Sequence, residues 1–202
     1  MRWLKWGFRL GLLLIGALFL QYTLPSHDVV RITDVYNRIT TVSWENKYFY
    51  ASPDVGTAEA KDSRDIRFIS AVFADGSVKV YRNEDTGWIW PPYFKYDSSN
   101  LQAVAANLKS DAAAPKWALV THYGWRLPWL SIYPNAVRIT EVAGPDVRII
   151  PWVDIVILVA LGLLLLLSWR MWLQFHERVI APAQAAVTDR WDRLRASFRR
   201  GS

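Results

Sequence analysis

WVDIVILVALGLLLLLSWRMW, from Trp152 to Trp172, holds no charged residue between Asp154 and Arg170. Ile155 to Ser168 is almost wholly Leu, Val, Ile, Ala and Gly. At ~1.5 Å of rise per residue, Trp152 to Trp169 spans roughly 25 Å of helix. That approaches the bilayer's hydrocarbon thickness of about 30 Å. Trp152, Trp169 and Trp172 then fall in the interfacial belts where aromatic rings collect. The stretch predicts a membrane-spanning helix over 150–172. Asp154 sits near the helix N-terminus, where the macrodipole favours a carboxylate; a relay acid would lie nearer the centre.

A second apolar stretch runs roughly from Trp6 to Leu24. Leu10 to Leu20 carries no charge, Arg9 can snorkel to the inner interface, and Pro25 ends the helix. A secretory signal peptide has a similar outline, but no A-x-A-like site follows Leu20. An uncleaved anchor over 1–24 is therefore expected. Gly7 and Gly11 form a G-x-x-x-G pair around Arg9, a helix-contact signal of low specificity.

The charge distribution orients these spans. Residues 25–149 carry 14 Lys/Arg and 14 Asp/Glu, so the formal net charge of +6 lies wholly outside them. Arg2, Lys5 and Arg9 lie at or before the start of the first span, and seven arginines, from Arg170 on, lie at or after the end of the second. Basic residues beside membrane spans stay on the cytoplasmic side. Both termini are thus expected in the cytoplasm and 25–149 in the periplasm of a bacterial inner membrane. The positive balance then reflects topology rather than nucleic-acid binding.

The tail, 173–202, reads as cytoplasmic, with a helix break at Ala181-Pro182. Beyond it Val187, Trp191, Leu194 and Phe198 share one helical face. Arg190, Arg193, Arg195, Arg199 and Arg200 surround that face. Large apolar anchors beside arginines predict a helix lying on the lipid headgroups, although the same face could bind a protein.

The middle domain contains no cysteine, which excludes disulfides, thiolate zinc and a cysteine nucleophile. Strands are expected over Asp28 to Thr41, Arg67 to Phe73, Ser77 to Arg82, Lys116 to Tyr123 and Ala136 to Val142. Lys47 to Ala51 could continue the sheet. Asp75-Gly76 predicts a type I′ hairpin turn. Leu101 to Lys109 predicts a helix capped by Ser98 or Ser99, with Leu101, Val104, Ala105 and Leu108 on one face. Val30 to Val35 nearly repeats as Val137 to Val142, which could mark two equivalent strands; paired side by side, they would be antiparallel. The resulting class is membrane-anchored α+β: two transmembrane helices flank a mainly β periplasmic domain, an OB-like or SH3-like small barrel with one helix.

The densest chemistry lies in Arg82 to Asn100, RNEDTGWIWPPYFKYDSSN. Trp88, Trp90 and Tyr93 are threaded there with Pro91 and Pro92, and Arg82, Glu84 and Asp85 precede them. His122, Trp125 and Arg126 form a second cluster. Three readings compete. The rings could pack an ordered loop over buried ion pairs. They could stack on a sugar, lipid headgroup or peptide. A carboxylate or His122 could act as acid or base. No Ser–His–Asp order, phosphate loop or metal signature accompanies them, and His27, His122 and His176 are scattered. Neither cofactor nor metal is expected.

Several segments resemble a bacterial inner-membrane family known only as a domain of unknown function. They are Leu24-Pro25 with His27 to Arg31, Arg64 to Ile69, Arg82 to Leu101, Tyr123 to Arg126, and Pro134-Asn135. The resemblance assigns no activity, ligand or catalytic residue, and it does not extend to the basic tail after Ser168. The expected role is a non-enzymatic envelope protein, an accessory or assembly subunit docking on a larger membrane complex. A binding module for an envelope glycan or lipid headgroup, and a membrane-tethered hydrolase, are the alternatives. The expected partners are the lipid bilayer and a membrane-protein complex, not nucleic acid.

Overall fold

The structure, a computed structural model, describes residues 2–50, 63–86 and 94–200. It divides into two units, Met1–Pro151 and Trp152–Ser202.

The first unit opens with helix α1, Arg2–Thr23, which Pro25 terminates. Among the described residues five strands follow: β1 Ser26–Thr41, β2 Ser63–Val72, β3 Val78–Asn83, β4 Trp117–Tyr123 and β5 Asn135–Val142. Helix α2, Ser98–Asn107, stands between β3 and β4. The strands follow one another in the order β1-β2-β3-β5-β4, and β4 pairs back onto β1, so the sheet closes. It is mixed: β3 meets β5 in parallel and the other pairs are antiparallel.

Alternation fills the interior. Val30 and Ile32 of β1, Ile69 and Ala71 of β2, and Ala118 and Val120 of β4 point inward and are buried. Leu101, Ala105 and Leu108 of α2 join them, whereas Val104 faces solvent. A register shift between Ile32 and Asp34 bends β1 as it passes from β4 to β2.

Several local expectations are corrected. Lys47–Phe49 forms a 3-10 turn instead of extending the sheet. The β2–β3 connection is not type I′, because only Gly76 of the pair takes a positive φ, +83°. The Asp75 carboxylate accepts the Ser77 N–H at 2.8 Å and its hydroxyl at 2.7 Å, and Phe73 N–H reaches Ser77 O at 2.9 Å. A three-residue loop ending in a left-handed glycine results. The two related segments do not pair. β1 and β5 lie on opposite sides of β4 and are both antiparallel to it, so they run in the same direction.

The second unit is helical. Helix α3, Trp152–Phe175, passes through a π turn, His176–Ile180, into helix α4, Ala181–Arg200. Pro182 does not break this helix, contrary to expectation. Ala181 N–H bonds to His176 O, and this wider turn precedes the proline. Arg190 and Trp191 are exposed on α4, which also carries Arg193, Leu194, Arg195, Phe198, Arg199 and Arg200. Among the described residues, α1 and the helix beginning at Trp152 are long and apolar enough to cross a membrane.

Candidate functional site

β3 and β5 meet at one bridge, Arg82 opposite Asn135. So short a ladder leaves the seam to side chains. Arg82 N–H donates to Pro134 O and its Nε to Tyr133 O, both at 2.9 Å. Asn135 Oδ1 accepts the Glu84 N–H at 3.0 Å, while its Nδ2 donates to Glu84 O at 3.0 Å and to the Tyr123 hydroxyl at 3.1 Å. Arg82 is 1% exposed, its Nη1 pairs with Glu84, and its guanidinium lies 5.0 Å from the Tyr50 ring centre. Burial works against the charge, and the Glu84 carboxylate, ahead of Tyr123, more than offsets it.

The next residues tie this seam to α2. Asn83 Nδ2 donates to Ser98 O and Gln102 Oε1, each at 2.8 Å. Lys95 Nζ donates to Asn83 Oδ1 and, at 2.7 Å, to Ala136 O. Asp85 caps α2 from outside the helix, accepting Ser98 N–H at 2.9 Å and Ser98 Oγ–H at 2.7 Å. The serine expected to be the cap is thus the group being capped. Asp85→Ala should destabilise the protein by about 1 kcal/mol, the usual cost of losing a cap, as read by urea unfolding in detergent. An unchanged midpoint would contradict that role.

Thr86 N–H donates to Lys95 O at 3.0 Å and Lys95 N–H to Thr86 Oγ1 at 3.2 Å, bracketing residues 87–93. Trp88, Trp90 and Tyr93 lie outside the described residues.

A second cluster is built inside the opposite strands. Asp28 shares the inward phase of Val30 and Ile32, and Lys79 the phase of Tyr81. One oxygen of Asp28 accepts Lys79 Nζ at 2.6 Å, the Tyr81 hydroxyl at 2.6 Å and His122 Nε2 at 2.8 Å. A register shift between Thr121 and His122 lets two consecutive residues turn inward. His122 meets Asp28, and Tyr123 meets Asn135. Burial alone would raise the Asp28 pKa, but the bonds from His122, Lys79 and Tyr81 hold it well below the usual carboxylate range. Burial lowers the His122 pKa, against the opposing pull of Asp28. The neutral imidazole then donates through Nε2, and its buried Nδ1 has no hydrogen-bond partner among the described residues. Only His122 of this group is singled out by sequence motif. Asp28, Lys79 and Tyr81 could have been found by extending the i, i+2 alternation of β1 and β3 to their polar members.

These groups set a pH dependence. Burial pulls Lys95 down to about 7, and its neutral amine still has two N–H groups for Asn83 and Ala136. Between there and about 10.4, the ordinary lysine value, the unfolded chain holds a proton that the folded one lacks, so stability rises with pH. Below about 6.5 the same sign applies to His122, so stability falls toward acid. Burial pushes Tyr50 and Tyr123 up to about 12. Above about 10 the unfolded chain loses those protons first, and stability falls again. Unfolding midpoints should therefore peak near pH ~10, and Lys95→Met should abolish the rise above neutrality. A flat profile between neutrality and the peak would contradict this assignment.

Of the remaining candidates, Trp125 meets the end of α1. Tyr22 packs against Trp125 at 5.3 Å, Phe49 at 5.7 Å and Tyr123 at 6.1 Å between ring centres. Gly124 N–H donates to Tyr22 O at 3.0 Å, and its φ of +91° is one that glycine tolerates without strain. Arg126 lies 4.0 Å from the Tyr133 ring centre and donates to Ile132 O at 3.0 Å. The sequence candidates thus separate into three places. Arg82 and Glu84 hold the seam beside the Asp85 cap, His122 belongs to the Asp28 cluster, and Trp125 packs on the end of α1 while the next residue, Arg126, lies on the Tyr133 ring. Among the described residues, no three His, Cys, Asp or Glu side chains are grouped as a metal site would require.

This chain, matched over residues 1–176 and beginning with the helix that carries Tyr22, can now be placed. It belongs to the family described as Protein of unknown function (DUF1523). The DUF1523 match takes in α1, the closed sheet and α3, and stops where the π turn begins. An uncharacterized protein of Haemophilus influenzae (strain ATCC 51907 / DSM 11121 / KW20 / Rd) is 36% identical over 143 residues, covering 69% of this chain and 76% of that protein. No solved structure matches the chain.

Proposed function

We propose that this DUF1523 protein is a non-enzymatic envelope protein of the bacterial inner membrane, an accessory or assembly subunit that docks on a larger membrane complex. In this reading α1 and α3 cross the bilayer, both termini are cytoplasmic, and residues 25–149 form a periplasmic OB-like barrel. The membrane placement is supported by the two apolar helices and by the confinement of net charge to their outer flanks.

One observation carries the non-enzymatic reading. Among the described residues, the buried ionisable groups of the closed sheet are taken up internally: Arg82 by Glu84, Asp28 by Lys79, Tyr81 and His122, and the Lys95 amine by Asn83 Oδ1 and Ala136 O. A carboxylate already accepting three donors on one oxygen makes a poor base. A hydrolase would need a poised acid or base facing its substrate. A second reading, binding of an envelope glycan or lipid headgroup, is favoured by Phe94 and Tyr96. Both are exposed beside the bracketed segment, and Phe94 has a φ of +33°, strained for an aromatic residue.

Solubilisation in mild detergent followed by affinity purification tests the proposal. One membrane complex at fixed stoichiometry is expected. A solitary protein that binds glycan or lipid would favour the second reading, and hydrolytic turnover would overturn both. A reporter active only in the periplasm should work at Asp75 and fail at either terminus; activity at the C-terminus would refute the two-span topology.

A further inference from the structure

The loops around the end of α1 carry large rings that are mostly exposed. Trp44 is 76% exposed, Tyr48 68% and Trp129 78%. All three stand on turns that are held in place. Asn46 and Lys47 N–H groups bond to Ser43 O, at 3.2 and 3.0 Å, closing the turn that bears Trp44. Leu127 and Ile132 exchange two backbone bonds of 3.1 Å, closing the loop that bears Trp129. The loops are tied to each other by Asn46 Nδ2 on Leu130 O at 3.3 Å and by the Tyr50 hydroxyl on Ser131 O.

Both are tied in turn to the last turn of α1, through Phe49 and Trp125 on Tyr22. Tyr22 lies two residues past Leu20, where the apolar run of α1 gives way to Gln21, a rise of ~3 Å along the helix. The loops therefore attach at the depth where an embedded helix meets the headgroup layer, the level at which Trp and Tyr side chains are enriched. The exposed apolar surface of α1 continues to this point through Phe19. Charge adds little, since Glu45 and Lys47 offset one another and the Lys47 ammonium lies over the Tyr48 ring at 5.1 Å.

We infer that Trp44, Tyr48 and Trp129 insert into the lipid interface beside the C-terminal end of α1, seating the closed sheet on the bilayer by this one end. This rests on the reading of α1 as a membrane span. It makes the lipid headgroup layer a fixed partner of the β domain and determines which end of the sheet remains free for a protein partner. The opposite end is marked by Val78, an exposed apolar residue paired through Val72 to Arg31, five residues up β1 from the α1 junction at Ser26.

The chain has no native cysteine, so single labels can be placed in the full-length protein. Glu45→Cys, Val78→Cys and Ala17→Cys would each carry an environment-sensitive fluorophore. The proteins would be reconstituted in phosphatidylethanolamine–phosphatidylglycerol vesicles containing a nitroxide either near the headgroup or deep in the acyl chain. The Glu45 label should lose emission to the shallow nitroxide, equally in low and high salt, and the Val78 label should not. Changing Trp44, Tyr48 and Trp129 together to Ser should remove that loss; substitutions at exposed positions leave folding nearly unchanged. The Ala17 label should be quenched by the deep nitroxide in every case. Protection of the Glu45 label from the lipid nitroxide, by open water or by a covering protein, overturns the inference while Ala17 quenching still upholds the span. Loss of quenching at Ala17 itself would instead remove the span reading.

Discussion

Replacing Arg82 with alanine should destabilise the protein by about 3–5 kcal/mol, the usual result of leaving one member of a buried ion pair uncompensated. Glu84 would remain largely enclosed with no cation, and Tyr133 O would lose its donor. The bridge to Asn135 is the point where β3 and β5 close the sheet, so the damage should reach the whole domain. Urea unfolding of the full-length protein in detergent, followed by near-UV circular dichroism, would measure it. Arg82→Met combined with Glu84→Met should cost less than Arg82→Ala alone, because the stranded charge is gone. A double variant as unstable as the single would show that packing, not charge pairing, holds the seam.

Asp28→Ala should cost a similar amount, about 3–5 kcal/mol, for a different reason. It strands the Tyr81 hydroxyl and His122 Nε2 inside the sheet, while the partly exposed Lys79 can turn toward water. Asp28→Asn keeps an acceptor and should be milder. The carboxylate also has a pH signature. Its folded pKa is depressed, so its contribution is present above about 4, the ordinary aspartate value, and is lost as pH falls below it. The alanine variant should lose that acid limb together with its stability. Retention of the full acid limb would mean that some other carboxylate carries it.

Much of the architecture was legible along the chain. The uninterrupted apolar runs of α1 and α3, the strands on either side of Asp75-Gly76, and α2 between β3 and β4 depend on local hydrophobic periodicity and turn chemistry. Membership of the DUF1523 family could be read from segments at the end of α1 and within residues 25–149. Other features were not legible, because no local signal encodes them. The likeness of Val30–Val35 to Val137–Val142 suggested pairing, yet β4 lies between them. Ser98 resembles a cap by residue type, but Asp85, thirteen positions earlier, supplies the oxygen. Pro182 resembles a break, and a π turn just before it carries the helix onward.

The candidate site divides in the same way. The sequence by itself determined the apolar stretches, the distribution of charge along the chain, the absence of thiol chemistry, and the importance of Arg82, Glu84, Asp85, His122, Trp125 and Arg126 as residues whose types demand partners. Only the tertiary structure decided who those partners are. Asp28 and His122 are 94 positions apart and share a hydrogen bond because β1 and β4 pair antiparallel. Trp125 joins Tyr22 because a glycine at positive φ brings the end of β4 against the end of α1. The physical reason is that a buried polar group must find its complement wherever closure of the sheet brings one within reach, and closure is a property of register and strand order rather than of neighbours in sequence.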